Sequence, residues 1–293
     1  MRRLGSRVIV GVDGSQPAND ALNWAAAEAS LRRCPLLIAH CWVLLPLTES
    51  LSPLDPRVEK EWAEHATGIV EDAAARVRSA VPAVSVATQV VGGFATDTLP
   101  RLAQPDDLLV VGARGLGSFR QLLLGSVSRE VAARANSPVV VIRGAGRRAG
   151  RIVVGVDGSE RSLRAVEFAF AEASLRGASL VAVHAWDLPR PAGHLGLSLQ
   201  SHLRAVEKDE LVAVQETLAG WREDHPDVQL EEKFIHLPPV DALVQESINA
   251  DLLVVGAHGR GATTGLLLGS VAHAMLRHAT SPVAVVHDAI AED

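Results

Sequence analysis

Val110-Val111-Gly112-Ala113-Arg114-Gly115, followed further on by Gly125-Ser126, is the stretch on which the reading of this chain turns. An apolar run passes into a loop punctuated by glycines, and the pattern beyond the loop starts a helix. Such a loop leaves backbone N–H groups unpaired at the helix's first turn, where the helix dipole also favours an anion. The spacing Gly-x2-Gly-x9-Gly-Ser returns at Gly256, Gly259, Gly269 and Ser270, 144 positions further on. A nucleotide site present twice is the expectation.

The offset of 144 holds throughout: Asp13 matches Asp157, His40 matches His184, Trp42 matches Trp186, Asp107 matches Asp251 and Pro138 matches Pro282. Glu28-Ala29-Ser30-Leu31-Arg32 recurs as Glu172-Ala173-Ser174-Leu175-Arg176. One fold is therefore duplicated, without the roughly 20–50-residue period of a solenoid. The domains expected are residues 1–146 and 147–293. Each is long enough to bury roughly 70% of its unfolded surface and to own a core.

Charge narrows the partners. Residues 1–146 hold 15 Lys/Arg and 14 Asp/Glu, and residues 147–293 hold 13 and 20, so neither half has the basic excess of a nucleic-acid footprint. Tyr is absent and Phe scarce, which removes stacking platforms for single strands. The longest uncharged run, Cys34 to Thr48, is too short and too broken by Pro and His to span a bilayer. Arg7 and Asp13 interrupt any apolar signal core. Cys34 and Cys41 flank one expected strand, roughly 23 Å apart and beyond disulfide reach. A cytoplasmic, reduced protein binding neither nucleic acid nor membrane is expected.

Alternating patterns give each half five strands and four helices. Arg7 to Val12 is a continuous apolar run suited to a strand buried on both faces of a parallel sheet. Ser15 caps the helix that follows over 17–33, with Pro17 tolerated in its first turn. Strands are expected at Leu36 to Trp42, Val84 to Val91, Leu108 to Val111 and Pro138 to Ile142, and helices at 57–80, after Gly92-Gly93 to about Gln104, and at 126–135. The Pro-rich segment 43–56 and its diverged counterpart 187–200 read as long loops, and Gly144 to Gly150 as a linker. This is an α/β chain of parallel sheets with helices on both faces. Strands as apolar as Val139 to Ile142 and Val283 to Val286 should not face water at a sheet edge, so the halves are expected to pair through them.

Ligands of an open parallel sheet sit beyond the carboxyl ends of the strands, where strand order reverses. Asp13 ends strand one and Gly112 ends strand four, so a crevice between them would hold both. Asp13 would accept from a nucleoside; alone, Asp-Gly-Ser could equally be a turn before a helix. Gly112 and Gly115 could be turn formers, and Gly125-Ser126 a helix cap, but the full spacing is more specific than any part. No Lys-Ser/Thr follows the glycines as in a Walker A loop, and Gly11-Val-Asp-Gly14 is not a dinucleotide fingerprint. Charge must then be met by backbone N–H groups and the Ser126 hydroxyl, with Arg114 and a metal ion as further candidates; His258 replaces Arg114 in the second half. His40 and His184 read as structural, no zinc spacing occurs, and the Glu59, Glu61, Glu64, Glu71, Asp72 face reads as solvated.

Val-Gly-Val-Asp-Gly-Ser at 10–15 and 154–159, the doubled glycine spacing and Ser-Pro-Val at 137–139 and 281–283 resemble the universal stress protein family, in its tandem two-domain form. The resemblance implies Rossmann-like five-stranded sheets of order 3-2-1-4-5, a dimer-like contact through strand five, and binding of ATP, with Mg2+. By position it implies that Asp13 contacts adenosine, that the Cys41 backbone meets adenine, that Gly112 and Gly115 approach ribose and phosphates, and that Gly125, Ser126 and Val127 hold phosphate. In the second half these roles fall to Asp157, Ala185, Gly256, Gly259, Gly269, Ser270 and Val271. Gly11 and Gly155, next to the aspartates, and Arg114 and His258 complete the candidate set. The function implied is a nucleotide-dependent regulator of stress response or growth, with a protein partner and a homodimer as possibilities. A slow ATPase, a cyclic-AMP-binding protein and a purely structural module are the alternatives.

Overall fold

The structure, a computed structural model, describes residues 6–43, 56–115, 124–143, 149–186, 211–212, 214–259 and 268–287. The chain forms two compact units, one within its first 145 residues and one over Gly146–Asp288. The Pro-rich segments at 44–55 and 187–200, the linker at 144–148 and the interiors of both glycine spacings, at 116–123 and 260–267, lie outside the described residues.

The first unit runs β1 (Val8–Gly11), α1 (Gln16–Arg32), β2 (Leu36–Trp42), α2 (Pro56–Ala80), β3 (Val86–Gly92), α3 (Ala95–Leu102), β4 (Leu108–Gly112), α4 (Ser126–Arg134) and β5 (Val139–Ile142). Its strands are all parallel, in the order β3-β2-β1-β4-β5, with Val8 opposite both Leu36 and Leu108. The second unit repeats this with β6 (Arg151–Gly155), α5 (Leu163–Arg176), β7 (Ser179–Ala185), helical residues 214–224, β8 (Leu230–Ile235), α6 (Pro239–Ser247), β9 (Leu252–Gly256), α7 (Ser270–His278) and β10 (Val283–Val286), in the order β8-β7-β6-β9-β10. Each is the Rossmann-like sheet expected.

Burial on both faces explains the uniformly apolar strands: Val8, Ile9 and Val10 are fully buried, as are Leu109 and Val110. α1 packs on the sheet through Ala18, Ala21, Leu22, Ala25, Ala26 and Ala29, a stripe at helical spacing made of small side chains, which lets backbone approach backbone. It ends at Arg33 in the left-handed region, φ 53°, where an L side chain is strained by roughly 1 kcal/mol or more. At the matched position the second unit has Gly177, φ 60°, which carries no such strain. α2 is amphipathic as read: Ala66, Val70, Ala73, Ala74 and Val77 are buried, while Glu61, Glu64, Glu71 and Asp72 are exposed.

Most element boundaries fall within one or two residues of the sequence reading, and two strand starts show why they shift. β3 begins at Val86, because Val84 is taken into the turn, its N–H donating to Val81 O (3.1 Å). β5 begins at Val139: Pro138 has no N–H to give a ladder, although its carbonyl accepts from Leu109 N (3.0 Å).

The end of the sheet away from the loops is pinned by buried Asp107. Its carboxylate accepts from Arg7 Nε (2.9 Å), Ser6 Oγ (2.8 Å) and Gln104 N (2.9 Å). Asp251 does the same with the N–H groups of Ala149, Gly150 and Arg151. Both acids hold the β1–β4 or β6–β9 register, which leaves the opposite end free to be built from loops.

Candidate functional site

β1 lies between β2 and β4, and β6 between β7 and β9, so the strand order reverses there and a crevice opens beyond their carboxyl ends. In the first unit the crevice has a volume of ≈ 570 Å³, and every first-half candidate, from Gly11 and Asp13 to Ser126 and Val127, lines it. The second crevice, ≈ 420 Å³, is lined by every second-half candidate, from Gly155 and Asp157 to Ser270 and Val271. Both volumes are of the size that holds a nucleotide-sized ligand.

Asp13 serves the turn and faces the crevice at once. Its Oδ1 accepts from Ser15 N (3.0 Å), closing the turn into α1, and its Oδ2 lies against Gly115. A Cβ at Gly115 would overlap that oxygen, and one at Gly259 would sit 2.7 Å from Asp157 Oδ2. Glycine at 115 and 259 is what lets the carboxylate and the loop share one wall.

The other glycines have a packing reason as well. A Cβ at Gly112 would stand 2.6 Å from Pro17 O, so the end of β4 passes directly against the first turn of α1. A Cβ at Gly11 would meet Leu99 Cδ1 at 2.8 Å, and one at Gly155 would meet Leu243 Cδ1 at 3.1 Å. These positions shape the floor of the crevice.

The start of α4 is open. Gly125 is its N-cap, extended at φ −76° and ψ 155°, and no side chain caps the helix. Gly125 N donates to Ala113 O (2.8 Å), and the Ser128 hydroxyl turns inward onto Ala113 O and Gly125 O (3.1 Å each). Ser126 is thus the first helical residue and no cap. The first-turn amides of Ser126, Val127 and Ser128 are those that an α-helix leaves without intrahelical partners, and all three residues line the crevice. α7 repeats the arrangement: Gly269 is extended at φ −68° and ψ 158°, its N–H donates to Ala257 O (2.8 Å), and no side chain caps the helix.

Around this helix start the other candidates take distinct parts. Cys41 lies at the end of β2, and burial pushes its thiol up to about 11, which leaves it a poor nucleophile at neutral pH. It and Cys34 are free thiols. His40 and His184 each set Nδ1 on a main-chain carbonyl, of Val12 (2.7 Å) and Val156 (2.8 Å), a structural use. Arg114 is exposed at the first mouth, and Arg143 follows the end of β5 beside it; burial, with the Arg114 charge adding, holds Arg143 below its ordinary value. Among the described residues no three His, Cys, Asp or Glu side chains gather as a metal site.

Sequence reasoning missed one wall. Trp62, His65 and Ile69 of α2, with Trp42 of β2, line the first crevice, and Trp62 is 51% exposed. The signal was present in the apolar spacing of Trp62, Ala66 and Ile69, which periodicity assigns to a core face and not to a ligand.

A doubled Rossmann-like sheet with an open helix start and an acidic turn at each switch point defines a tandem α/β protein of the doubly wound class. The universal stress protein family model matches residues 6–143 and again 149–287, and the chain belongs to that family. It is 35% identical over 290 residues to universal stress protein Rv2005c of Mycobacterium tuberculosis, covering 95% of this chain and 96% of that protein. A universal stress protein of Mycolicibacterium smegmatis is 36% identical over 293 residues, with 95% and 96% covered. The crystal structure of a universal stress protein from Archaeoglobus fulgidus shares the fold, with a TM-score of 0.69 at 18% identity over 98% of this chain and 99% of that one. Among the described residues no helix is long and apolar enough to cross a membrane.

Proposed function

We propose that each crevice binds ATP and that the protein is a nucleotide-dependent regulator in stress response or growth control. One observation carries the reading: in both units an uncapped helix start, a glycine-flanked aspartate and the end of β2 or β7 converge on a single crevice. The amides at the start of α4 and α7 would hold phosphate oxygens, with the Ser126 and Ser270 hydroxyls beside them. Asp13 and Asp157 would accept from the nucleoside, and the backbone at Cys41 and Ala185 would meet the base. Mg2+ would arrive with the phosphates, since the oxygen donors at hand, one carboxylate and the Ser126 or Ser270 hydroxyl at the helix start, fit an ion that keeps most of its waters. No lysine lines either crevice among the described residues, so occupancy rather than rapid phosphoryl transfer suits the site.

The test is stoichiometry. Calorimetry with ATP and Mg2+ should give two nucleotides per chain. Gly115→Ala and Gly259→Ala, which drive a methyl group into the Asp13 or Asp157 carboxylate, should each remove about one while the far-UV circular dichroism is unchanged. Full ATP binding by both variants would overturn the assignment. Release of nucleotide from freshly purified, denatured protein distinguishes ATP held intact from ADP accumulating with time.

A further inference from the structure

The two crevices are matched in fold but not in charge. Gly112 pairs with Ile142 and Ala113 N donates to Ile142 O (2.9 Å), so the next residues along, Arg114 and Arg143, leave adjacent strand ends together. In the second unit Gly256 pairs with Val286 and Ala257 N donates to Val286 O (2.7 Å), and the residues leaving together are His258 and His287. Both arginines of the first unit are therefore histidines at the matched places of the second. Arg114 lines the first crevice and His258 the second, in each case beside the glycine that flanks the aspartate.

The surroundings do not cancel this difference. Each nine-residue spacer carries one arginine, Arg120 in the first half and Arg260 in the second, so the two spacers have the same arginine count. Arg161, on the turn ahead of α5, is exposed and does not line the second crevice. Asp13 and Asp157 contribute the same negative charge to each site. What remains is a fixed guanidinium pair against an imidazole pair. A guanidinium stays charged at any working pH and offers a planar fork of donors that suits phosphate oxygens, whereas an imidazole above its titration range offers one neutral N–H.

We infer that the two crevices discriminate differently by phosphate charge: the first, through Arg114 with Arg143 behind it, selects triphosphate over monophosphate nucleotides, and the second, with His258 and His287 in their places, selects much less. The inference rests on the nucleotide reading of both sites and assigns a specificity residue to each. Arg114 acts on the far end of the phosphate chain, because the amides of α4 and the Asp13 carboxylate serve the nearer part of the ligand in either crevice alike. Its exposure tempers the effect, since screening by water and salt weakens a surface charge.

The full chain can report each crevice separately, with Gly259→Ala silencing the second and Gly115→Ala the first. Calorimetric affinities for ATP and AMP, measured at pH 8 and low salt, should give an ATP-to-AMP preference about tenfold greater in the first crevice. Arg114→His should reduce that preference about fivefold, and His258→Arg should raise the second crevice's preference by a similar factor. Both effects should shrink as salt is added, with ATP affinity falling more steeply than AMP affinity in the first crevice. Equal preferences in the two crevices, or preferences that neither exchange moves, would overturn the inference and leave nucleotide binding intact. Failure of any adenine nucleotide to bind in either background would overturn the nucleotide reading itself.

Discussion

α1 and α4 each begin beyond the carboxyl end of a strand, and they treat their first turns in opposite ways. α1 closes its own start: Ser15 Oγ accepts from Ala18 N (3.3 Å), Pro17 occupies a first-turn position that needs no N–H partner, and Asp13 draws Ser15 N into the turn. α4 has a glycine where α1 has the serine, and the Ser128 hydroxyl in its first turn points back into the loop. A helix start is common and by itself says nothing about a ligand. What separates these two is whether the chain has already spent the amides, and only α4 keeps them facing the crevice.

That contrast can be broken from either side. The largest expected effect comes from Gly112→Ala, which would force a methyl group into the main chain of Pro17 at the first turn of α1. Neither backbone can yield cheaply, so stability should fall by about 3 kcal/mol in urea unfolding. Retention of wild-type stability would mean that the close approach of β4 and α1 is not a constraint. Next, Gly125→Ser would give α4 the cap it lacks: the backbone there is already extended, and a Cβ would find its nearest neighbour, Ala113 O, at 3.3 Å. The new hydroxyl should occupy a first-turn amide, raise stability by a few tenths of a kcal/mol and cost ATP affinity in the first crevice about 2 kcal/mol. Unchanged affinity there would show that the helix start is not the phosphate contact. Smallest is Ser15→Ala, which removes the cap of α1 and should lower stability by about 1 kcal/mol with nucleotide stoichiometry unchanged.

The cap of α1 was legible in advance because Ser15 and Pro17 act on their own neighbours. The openness of α4 was only half legible. Gly125-Ser126 announced a helix start, and the helix was read from Ser126 on, but that the Ser128 hydroxyl turns inward is a tertiary fact, fixed by the position of Ala113 just past β4. The same limit applies to the glycines. Their spacing pointed to a loop near phosphate, whereas the demands of Pro17 on Gly112 and of Leu99 on Gly11 come from residues far away in sequence. Trp62 escaped notice because a helix periodicity cannot separate a side chain facing a core from one facing an open crevice. In the second unit the repeat misleads slightly: where α1 starts at Gln16, a 3-10 turn over Glu160–Ser162 comes first and α5 starts at Leu163. Arg161 stands where Pro17 does, without the fixed φ that sets a helix going.

The central place of β1 governs how the nascent protein can acquire its shape. During synthesis β1 must wait for β4, and the Arg7–Asp107 ion pair that fastens them closes over 100 positions. Until β4 is translated, one flank of β1 presents an apolar ladder with nothing to pair with, a state prone to sticking to other chains. Synthesis halted short of Leu108 would therefore leave a fragment for chaperones or proteases to handle.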